Sequence, residues 1–397
     1  MMLRYAKRLI KETQGRLLRK FVVNFGLRGM HAVAEFQKRK KKGEAFPAFL
    51  FLSVTNACNL SCRGCWVRPT KPARELDIET LNKIVAQSKD QGAKFFGILG
   101  GEPLLHRGLF RLFEAHPDCY FLLFTNGTLL SQETARCLNL AGNVSPLISI
   151  EGLETVSDER RGGKNVFTRA MQGIRHCREN GLVTGVASSV CASNIEDLAT
   201  ETFLRELIDL GVHYMWYYIY RPVGPDPSPE LALTPDQVYA LRRFIVESRR
   251  KHPILIVDSY WDHEGRALCP AAVGIGHHIS PEGDIEPCPP IQFAGENICN
   301  GKPMVDLFND SEFLNRFKQT AAKATRGCIL MERPDLLKQV VEISSAWDSS
   351  GRGTAMEELA AMTDRTSHHL PGREIPEAYW PYRFAKKHWF FGFGAYG

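Results

Sequence analysis

Between residues 46 and 220, short apolar runs alternate with segments of helical periodicity, and this alternation restricts the fold more than any other feature of the sequence. The predicted strands cover 48–55, 94–100, 120–127, 146–152, 183–190 and 213–221, and the predicted helices between them cover 77–91, 131–141, 165–180 and 195–210. Strands that alternate with helices form βαβ units around a parallel sheet. The six units predict an α/β fold, an open or partial (β/α)6 barrel, whose chemistry takes place at the carboxyl ends of the strands.

Three cysteines follow the first predicted strand, in the stretch CNLSCRGC. Cys58, Cys62 and Cys65 have the spacing C-x3-C-x2-C, which supplies three thiolates, whereas a structural zinc site takes four ligands. A cubane iron–sulfur cluster is normally held by four thiolates, so that three would leave one iron open. An open coordination position is typical of a catalytic metal site. The position after a strand favours such a cluster over zinc with a distant fourth ligand.

This triplet resembles the cluster motif of the radical S-adenosylmethionine (SAM) superfamily. The resemblance implies a 4Fe-4S cluster whose free iron binds the amino and carboxylate groups of SAM. One-electron reduction then yields a 5′-deoxyadenosyl radical, which abstracts hydrogen from an unactivated C–H bond. The family usually has an aromatic residue before the third cysteine, whereas this chain has Gly64 there and Trp66 just after.

Later strand ends carry further strings that resemble the SAM-binding motifs of the family. They are GGEP (100–103), TNG (125–127), SIEG (149–152), where Glu151 replaces the commoner Asp, and ERRGG (159–163), where Arg160 or Arg161 would neutralise the SAM carboxylate. Ser188 and Asn194, in the fifth predicted unit, lie where the family often has polar contacts with SAM. The alternative for these two residues is a capping or turn role. The SAM-binding residues that the resemblance implies are Gly100, Gly101, Glu102, Ser149, Glu151, Arg161, Ser188 and Asn194.

A second group of cysteines lies after the predicted barrel. Cys269, Gly283 and Cys288 give C-x13-G-x4-C, which resembles the start of the SPASM and twitch extensions that hold auxiliary iron–sulfur clusters. Cys328 matches a later ligand of that pattern, but Met331 stands where another cysteine is expected. The resemblance implies one auxiliary 4Fe-4S cluster on Cys269, Cys288 and Cys328. Cys299 is either its fourth ligand or a buried thiol, and the remaining cysteines (Cys119, Cys137, Cys177 and Cys191) are predicted to pack in the core.

These patterns divide the chain into five predicted segments: 1–45 as a basic amphipathic helical segment, 46–225 as the radical SAM core, 226–262 as a linker helix and strand, 263–335 as a SPASM/twitch-like α+β domain, and 336–397 as an aromatic tail. Residues 1–43 carry 13 Lys or Arg against Glu12 and Glu35, a net charge of +11, whereas the remainder carries −5. A basic amphipathic helix either lies on an anionic membrane or packs on the body of the protein. A nucleic-acid patch at 38–42 is a weaker alternative.

The functional expectations follow from these features. We expect an enzyme that modifies a lipid or other hydrophobic substrate at a membrane surface, with a peptide- or protein-modifying maturase as the alternative and a non-catalytic iron–sulfur or zinc scaffold as a third hypothesis. Such an enzyme would need a reducing partner such as flavodoxin or ferredoxin. Dilute, clustered cysteines and the lack of a secretory-type sequence predict a cytoplasmic protein, with a peripheral position on the inner face of the membrane as an option.

Overall fold

A nine-stranded sheet forms the centre of the protein, and the computed structural model describes residues 1–388. The strands are β1 (Phe49–Ser53), β2 (Phe95–Leu99), β3 (Tyr120–Thr125), β4 (Val144–Ser149), β5 (Gly185–Val190), β6 (Tyr214–Ile219), β7 (Leu255–Val257), β8 (Gly276–Ile279) and β9 (Ile285–Glu286). Their order in the sheet is β7-β6-β5-β4-β3-β2-β1-β8-β9. All neighbouring pairs are parallel except β8 and β9, which form a hairpin. A separate antiparallel pair consists of β10 (Phe293–Ala294) and β11 (Trp347–Asp348).

Eighteen α-helices lie within residues 1–388. They are α1 (Met2–Glu12), α2 (Gly15–Lys20), α3 (Arg28–Lys41), α4 (Ile78–Asp90), α5 (Leu109–Ala115), α6 (Gln132–Ala141), α7 (Glu154–Arg161), α8 (Val166–Glu179), α9 (Ile195–Leu198), α10 (Glu201–Asp209), α11 (Pro235–Lys251), α12 (Pro270–Val273), α13 (Met304–Asp310), α14 (Glu312–Ala324), α15 (Ile329–Glu332), α16 (Pro334–Ile343), α17 (Ala355–Ala360) and α18 (Trp380–His388). No helix in this part of the chain is long and apolar enough to cross a membrane.

The predicted strands and most of the predicted helices are confirmed to within a few residues because local signals set their ends. The side chains of Asp77, Ser131 and Thr234 accept hydrogen bonds from backbone N–H groups at the starts of α4, α6 and α11. Such caps satisfy donors that the helix itself leaves unpaired. The predicted helix 195–210 is instead two helices, α9 and α10, because Thr200 starts a new cap.

Side chains of the strands alternate between two hydrophobic layers, as the pleat requires. Phe121 and Leu123 belong to the layer between the sheet and its outer helices. Tyr120 and Leu122 of the same strand face the inside of the curved sheet. The inner layer therefore lines the partial barrel, and the outer layer holds the helices on it.

The N-terminal segment closes the barrel at the amino ends of its strands. Leu9, Val33 and Phe36 are buried in the inner layer, and each stabilises the fold by roughly 1.5–3 kcal/mol. Phe25, in a π-helical stretch between α2 and α3, packs edge-to-face on Phe95 of β2 at a centroid distance of 5.1 Å. The inner side of this segment therefore packs on the body of the protein, which is one of the two expectations for residues 1–43.

The boundaries of two predicted segments need correction. The strand in the predicted linker 226–262 is β7, which pairs with β6 and extends the barrel by one strand. The hairpin of β8 and β9 in segment 263–335 also joins the central sheet, because β8 pairs with β1. Neither pairing leaves a local signal, since each depends on contacts between residues far apart in sequence.

The C-terminal segment is fastened to the barrel by a buried group of charges, named here the C-terminal ion cluster: Arg242, Arg249, Asp258, Glu377 and Lys386. Asp258 accepts hydrogen bonds from Arg249 Nη2 and Lys386 Nζ, both at 2.6 Å. Glu377 contacts all three cations. Buried charges must be paired, so this cluster fixes α18 against α11 and β7. The last nine aromatic-rich residues, 389–397, lie outside the described part of the chain.

Candidate active site

The predicted core triplet lies in the loop after β1, at the carboxyl edge of the sheet. Cys58, Cys62 and Cys65 line a pocket of about 400 Å³, which Gly100, Gly101, Ser149 and Arg161 from the following strand ends also line. The structure therefore brings together predicted site residues that are up to 103 positions apart in the sequence, from Cys58 to Arg161. Within residues 1–388 no three His, Cys, Asp or Glu side chains are placed to hold a single metal ion. The three cysteines instead line the wall of this pocket.

The two glycines of GGEP hold the cysteine loop against the end of β2. A Cβ atom on Gly101 would lie 2.2 Å from the carbonyl oxygen of Ala57, and one on Gly100 would lie 2.3 Å from that of Thr55. Gly101 N–H donates to Thr55 O at 2.8 Å. Only glycine allows backbones to approach this closely. These glycines thus position the loop that carries the cysteines.

Glu102 is fully buried and is not part of the pocket lining. It accepts hydrogen bonds from Thr125 Oγ1 at 2.8 Å, Asn126 N at 2.8 Å and Leu104 N at 3.1 Å. Burial raises the pKa of this carboxyl, and the hydrogen bonds to Asn126 and Leu104 oppose that rise. In this arrangement the side chain connects the ends of β2 and β3, and the backbone N–H groups of Gly101 and Glu102 donate to the cysteine loop.

Arg161 carries the charge of the pocket. Its Nη1 donates to Cys62 Sγ at 3.6 Å, and Nη2 lies 3.5 Å from Glu151 Oε1 without forming a hydrogen bond. Burial acts to lower the pKa of Arg161, but the Cys62 sulfur and the Glu151 carboxylate outweigh it and raise this pKa. Burial raises the pKa of Glu151, and Arg161 opposes that rise.

The residues present fit the cofactors that the sequence implies. Nε and Nη2 of Arg161 are buried nitrogens without a hydrogen-bond partner. Such donors are costly to leave unpaired, and a carboxylate such as that of SAM satisfies them. The neighbouring cysteine triplet supplies the thiolates that iron–sulfur clusters require.

The other predicted SAM contacts differ in their surroundings. Ser149 lines both this pocket and the larger cavity described below. Ser188 also lines the larger cavity, but its hydroxyl donates to Ile150 O. Asn194 is buried and holds the loop after β5, since its amide donates to Glu151 O at 3.0 Å and accepts from Cys191 N at 2.7 Å. For Ser188 and Asn194 the alternative turn role therefore accounts for the contacts seen.

A cavity of about 380 Å³ lies inside the barrel and connects the two groups of cysteines. It is lined by Cys62 and Cys65 on one side and by Cys269, Cys288 and Cys328 on the other. Most of its wall is apolar, and its aromatic residues include Phe49, Phe51, Phe95, Phe124, Trp216, Tyr218 and Tyr260. A concave apolar cavity with a few polar groups is the usual form of a small-molecule site.

The structure brings together three of the four predicted auxiliary ligands. Cys269 precedes α12, Cys288 follows β9 and Cys328 precedes α15, and the β8–β9 hairpin turns at Gly283. Cys299 is exposed in a 3-10 turn and does not line the cavity, so the expectation of a buried thiol is wrong and the structure adds no support for Cys299 as the fourth ligand. Met331 is buried in an apolar cluster beside Cys328.

Burial raises the pKa of several of the cysteines in the two groups. Burial raises the pKa of Cys65 and that of Cys269 to about 11 each, and it raises the pKa of Cys288 well above its usual value. Metal ligation requires the thiolate, so loading either site releases protons. Cys119, Cys177 and Cys191 are buried as predicted, whereas Cys137 is only partly buried on α6.

Sequence reasoning missed the inner wall of the cavity. Trp216, Tyr218 and Arg221 come from β6 and the residues just after it. The signal was present, since alternate positions of a barrel strand face inward and the run 213–221 is rich in aromatics. What the sequence did not reveal is that Arg221 would lie beside Cys328, with its Nε 3.2 Å from the sulfur.

Comparisons with known proteins agree with this arrangement. Residues 52–206 match the Radical SAM superfamily. The AdoMet-dependent heme synthase of Methanosarcina barkeri is 30% identical over 241 residues, which cover 59% of this chain and 68% of that protein. The sporulation killing factor maturation protein SkfB of Bacillus subtilis is 27% identical over 255 residues, 61% of this chain, and the match spans only 60% of its length.

A solved structure shows the same fold at low sequence identity. SuiB of Streptococcus suis, bound to its precursor peptide SuiA, superposes with a TM-score of 0.57 at 18% identity, covering 72% of this chain and 70% of SuiB. The sheet, the cysteine loop after its first strand and the sequence matches agree with one another, and the chain belongs to the radical SAM superfamily.

Proposed function

We propose that this protein is a radical SAM enzyme that acts on a hydrophobic group held between two iron–sulfur clusters. The observation that carries the proposal is the shared cavity, which Cys62 and Cys65 line on one side and the Cys269, Cys288 and Cys328 triplet on the other. With its cluster and SAM bound, the core site would supply a 5′-deoxyadenosyl radical that removes hydrogen from an unactivated C–H bond.

The residues of the chain would hold SAM and keep the radical from water. Arg161 would bind the SAM carboxylate with its two unpartnered nitrogens, and Ser149 would contact SAM from the end of β4. Glu151 would keep Arg161 oriented. The aromatic wall would exclude water, which protects a reactive intermediate from side reactions.

The substrate would present an apolar group to the radical. Phe124, Trp216 and Tyr218 pack together, with Trp216 and Tyr218 stacked at a centroid distance of 5.4 Å and an angle of 12°. Such a wall favours aliphatic or aromatic groups because burial of apolar surface is its main source of affinity. An electron for the core cluster would come from a low-potential donor such as flavodoxin or ferredoxin.

A peptide substrate is the second candidate. SkfB is a maturation protein, and the SuiB structure contains a precursor peptide. In this chain a groove of about 280 Å³ runs between the proline-rich loop 222–229 and the segment 352–365, and it shares Val223, Ile291 and Leu330 with the cavity. An extended segment lying in this groove could place one apolar side chain in the cavity.

An anionic membrane is the proposed source of a lipid substrate. The outer sides of α1 and α18 form what we name the terminal surface, with four exposed apolar residues: Leu3 (81% exposed), Ile10 (66%), Trp380 (74%) and Phe384 (56%). The two helices are adjacent, since Met2 N donates to Tyr379 Oη at 3.3 Å. Exposed cations flank these residues at Arg4, Lys7 and Lys11. Apolar side chains beside cations suit the interface of an anionic bilayer.

Formation of 5′-deoxyadenosine tests the enzymatic proposal. Anaerobically reconstituted protein, given SAM and dithionite, should release 5′-deoxyadenosine, measured by liquid chromatography. An iron-loaded protein that releases none would contradict the proposal and favour the scaffold hypothesis.

Vesicle flotation tests the membrane proposal separately. Deleting residues 1–43 would open the barrel, so surface variants are the better choice. Wild-type protein should float with phosphatidylglycerol vesicles, and W380E/F384E should float less. L140E is the matched control, because Leu140 is 62% exposed on α6, outside the terminal surface. Equal flotation of wild type and W380E/F384E would contradict membrane binding through this surface.

A further inference from the structure

Arg221 lies at the end of the cavity that the auxiliary cysteines line. It follows β6 by two residues, at the carboxyl edge of the sheet. Its Nε donates to Cys328 Sγ at 3.2 Å, and its Nη1 donates to Tyr260 Oη at 3.3 Å. The guanidinium also lies over the Tyr260 ring, 5.1 Å from its centroid. These three contacts fix the plane of the guanidinium.

No carboxylate among the described residues pairs with the charge of Arg221. Within residues 1–388 it forms no ion pair with Asp or Glu, and no hydrogen-bond partner contacts its Nη2. Nη2 of Arg221 is not among the fully buried nitrogens without a partner, so it keeps access to the cavity that Arg221 lines. A guanidinium has five N–H donors, and two are used here. The remaining donors on Nη1 and Nη2 form a planar fork directed away from the Nε–Cys328 contact.

The cavity, counted over residues 1–388 and without its cysteines, has more positive than negative side chains in its lining. Its lining contains four arginines, Arg63, Arg160, Arg161 and Arg221, and a single carboxylate, Glu151. Glu151 pairs with Arg161, and Arg63 Nη2 lies 2.5 Å from Glu230 Oε1. A buried cation without a counter-charge is costly unless a ligand supplies one. Thiolates at the auxiliary cysteines would offset the charge on the Nε side of Arg221, whereas the fork of Nη1 and Nη2 faces away from Cys328 and is left for an anionic ligand.

We infer that Arg221 binds a carboxylate of the substrate, so that the substrate is an organic acid with an apolar body. The fork of Nη1 and Nη2 matches the two oxygens of a carboxylate, which makes the contact bidentate. Val223, Phe317 and Leu330 belong to the apolar cluster that also contains Cys328, and they line the same cavity as Arg221. This inference rests on the proposed function and adds the end of the substrate that faces the auxiliary cysteines.

Binding of a small aryl acid tests the inference without turnover. The probes are 3-(4-fluorophenyl)propanoate and its amide, which differ in charge but hardly in shape. Binding is followed by fluorine NMR on anaerobically reconstituted protein with saturating SAM and no reductant, so that SAM occupies Arg161. The wild type should bind the acid about tenfold more tightly than the amide, because a guanidinium forms stronger hydrogen bonds with a charged carboxylate than with a neutral amide.

Three variants decide between Arg221 and other sources of this preference. R221Q should bind acid and amide equally, and R221K should keep only part of the preference because it lacks the fork. R160Q is the matched control, since Arg160 also lines the cavity and lies 5.0 Å over a tyrosine ring, that of Tyr220. R160Q should keep the full preference.

Several outcomes would overturn the inference. The inference fails if the wild type binds acid and amide equally, or if R221Q still prefers the acid. If R221Q does not take up iron, an undiminished preference for the acid in R221K overturns the inference instead. If Arg221 serves only the auxiliary cysteines, R221Q will shift the reduction potential of that cluster and leave the preference intact, which also overturns it. Because the assay needs no reductant, its failure leaves 5′-deoxyadenosine formation by the wild type as an independent result.

Discussion

Replacing Gly101 by alanine should displace the cysteine loop and reduce cofactor chemistry. The added Cβ would lie 2.2 Å from Ala57 O, 2.7 Å from Ala57 C and 2.8 Å from Asn56 O, all backbone atoms that cannot rotate away. Restoring ordinary contacts requires the loop to move by about 1 Å. A misplacement of that size can cost about a hundredfold in rate. We therefore expect G101A to form 5′-deoxyadenosine about a hundredfold more slowly than the wild type.

The matched control for this variant is Gly15→Ala. A Cβ on Gly15 meets no atom within 4 Å, so G15A should retain the wild-type rate. Iron content is measured in parallel, because a displaced loop can also lose its cluster. The reasoning would be refuted if G101A took up iron and formed 5′-deoxyadenosine at the wild-type rate.

Three further predictions concern the C-terminal ion cluster and the auxiliary cysteines. D258N leaves three buried cations facing one carboxylate and should lower the free energy of unfolding in urea by about 3–5 kcal/mol. K386M leaves two cations and two carboxylates and should lower it by about 1 kcal/mol. Equal losses in the two variants would contradict this charge argument. Burial lowers the pKa of Lys386 to about 8. Between that pH and the ordinary pKa of lysine, the unfolded chain therefore binds more protons than the folded protein. Wild-type stability should therefore rise relative to K386M between pH 8 and about pH 9.5, and parallel pH profiles would exclude this role. C328S should lose about half of the reconstituted iron, whereas C299S should keep all of it, and iron loss from C299S would restore Cys299 as a ligand.

Local patterns were sufficient to predict the barrel strands and the core site. The strand after Phe46, the cysteine loop and the GGEP string each depend on a few neighbouring residues. Their convergence follows from the geometry of parallel sheets, whose strand ends share one edge. Arg161, which ends α7, was predicted only from the resemblance to the radical SAM motifs, and the structure places it in one pocket with Cys58.

Long-range packing decided the features that the sequence did not reveal. Leu3 and Leu17 belong to the same apparent apolar stripe, yet Leu3 is exposed and Leu17 is buried. The N-terminal helices can therefore close the barrel and still present apolar residues to solvent. Likewise, the contact of Arg221 with Cys328 joins residues 107 positions apart, and no local pattern predicts it.

Iron content and 5′-deoxyadenosine formation, measured together in two triple variants, test the central claim most directly. The claim is that Cys58, Cys62 and Cys65 hold the cluster that cleaves SAM, while Cys269, Cys288 and Cys328 hold a second cluster. Wild-type protein should contain about eight irons per chain, and alanine replacement of either triplet should leave about four. Replacement of the core triplet should also abolish 5′-deoxyadenosine formation. About four irons in the wild type, or 5′-deoxyadenosine formed without the core triplet, would contradict the account.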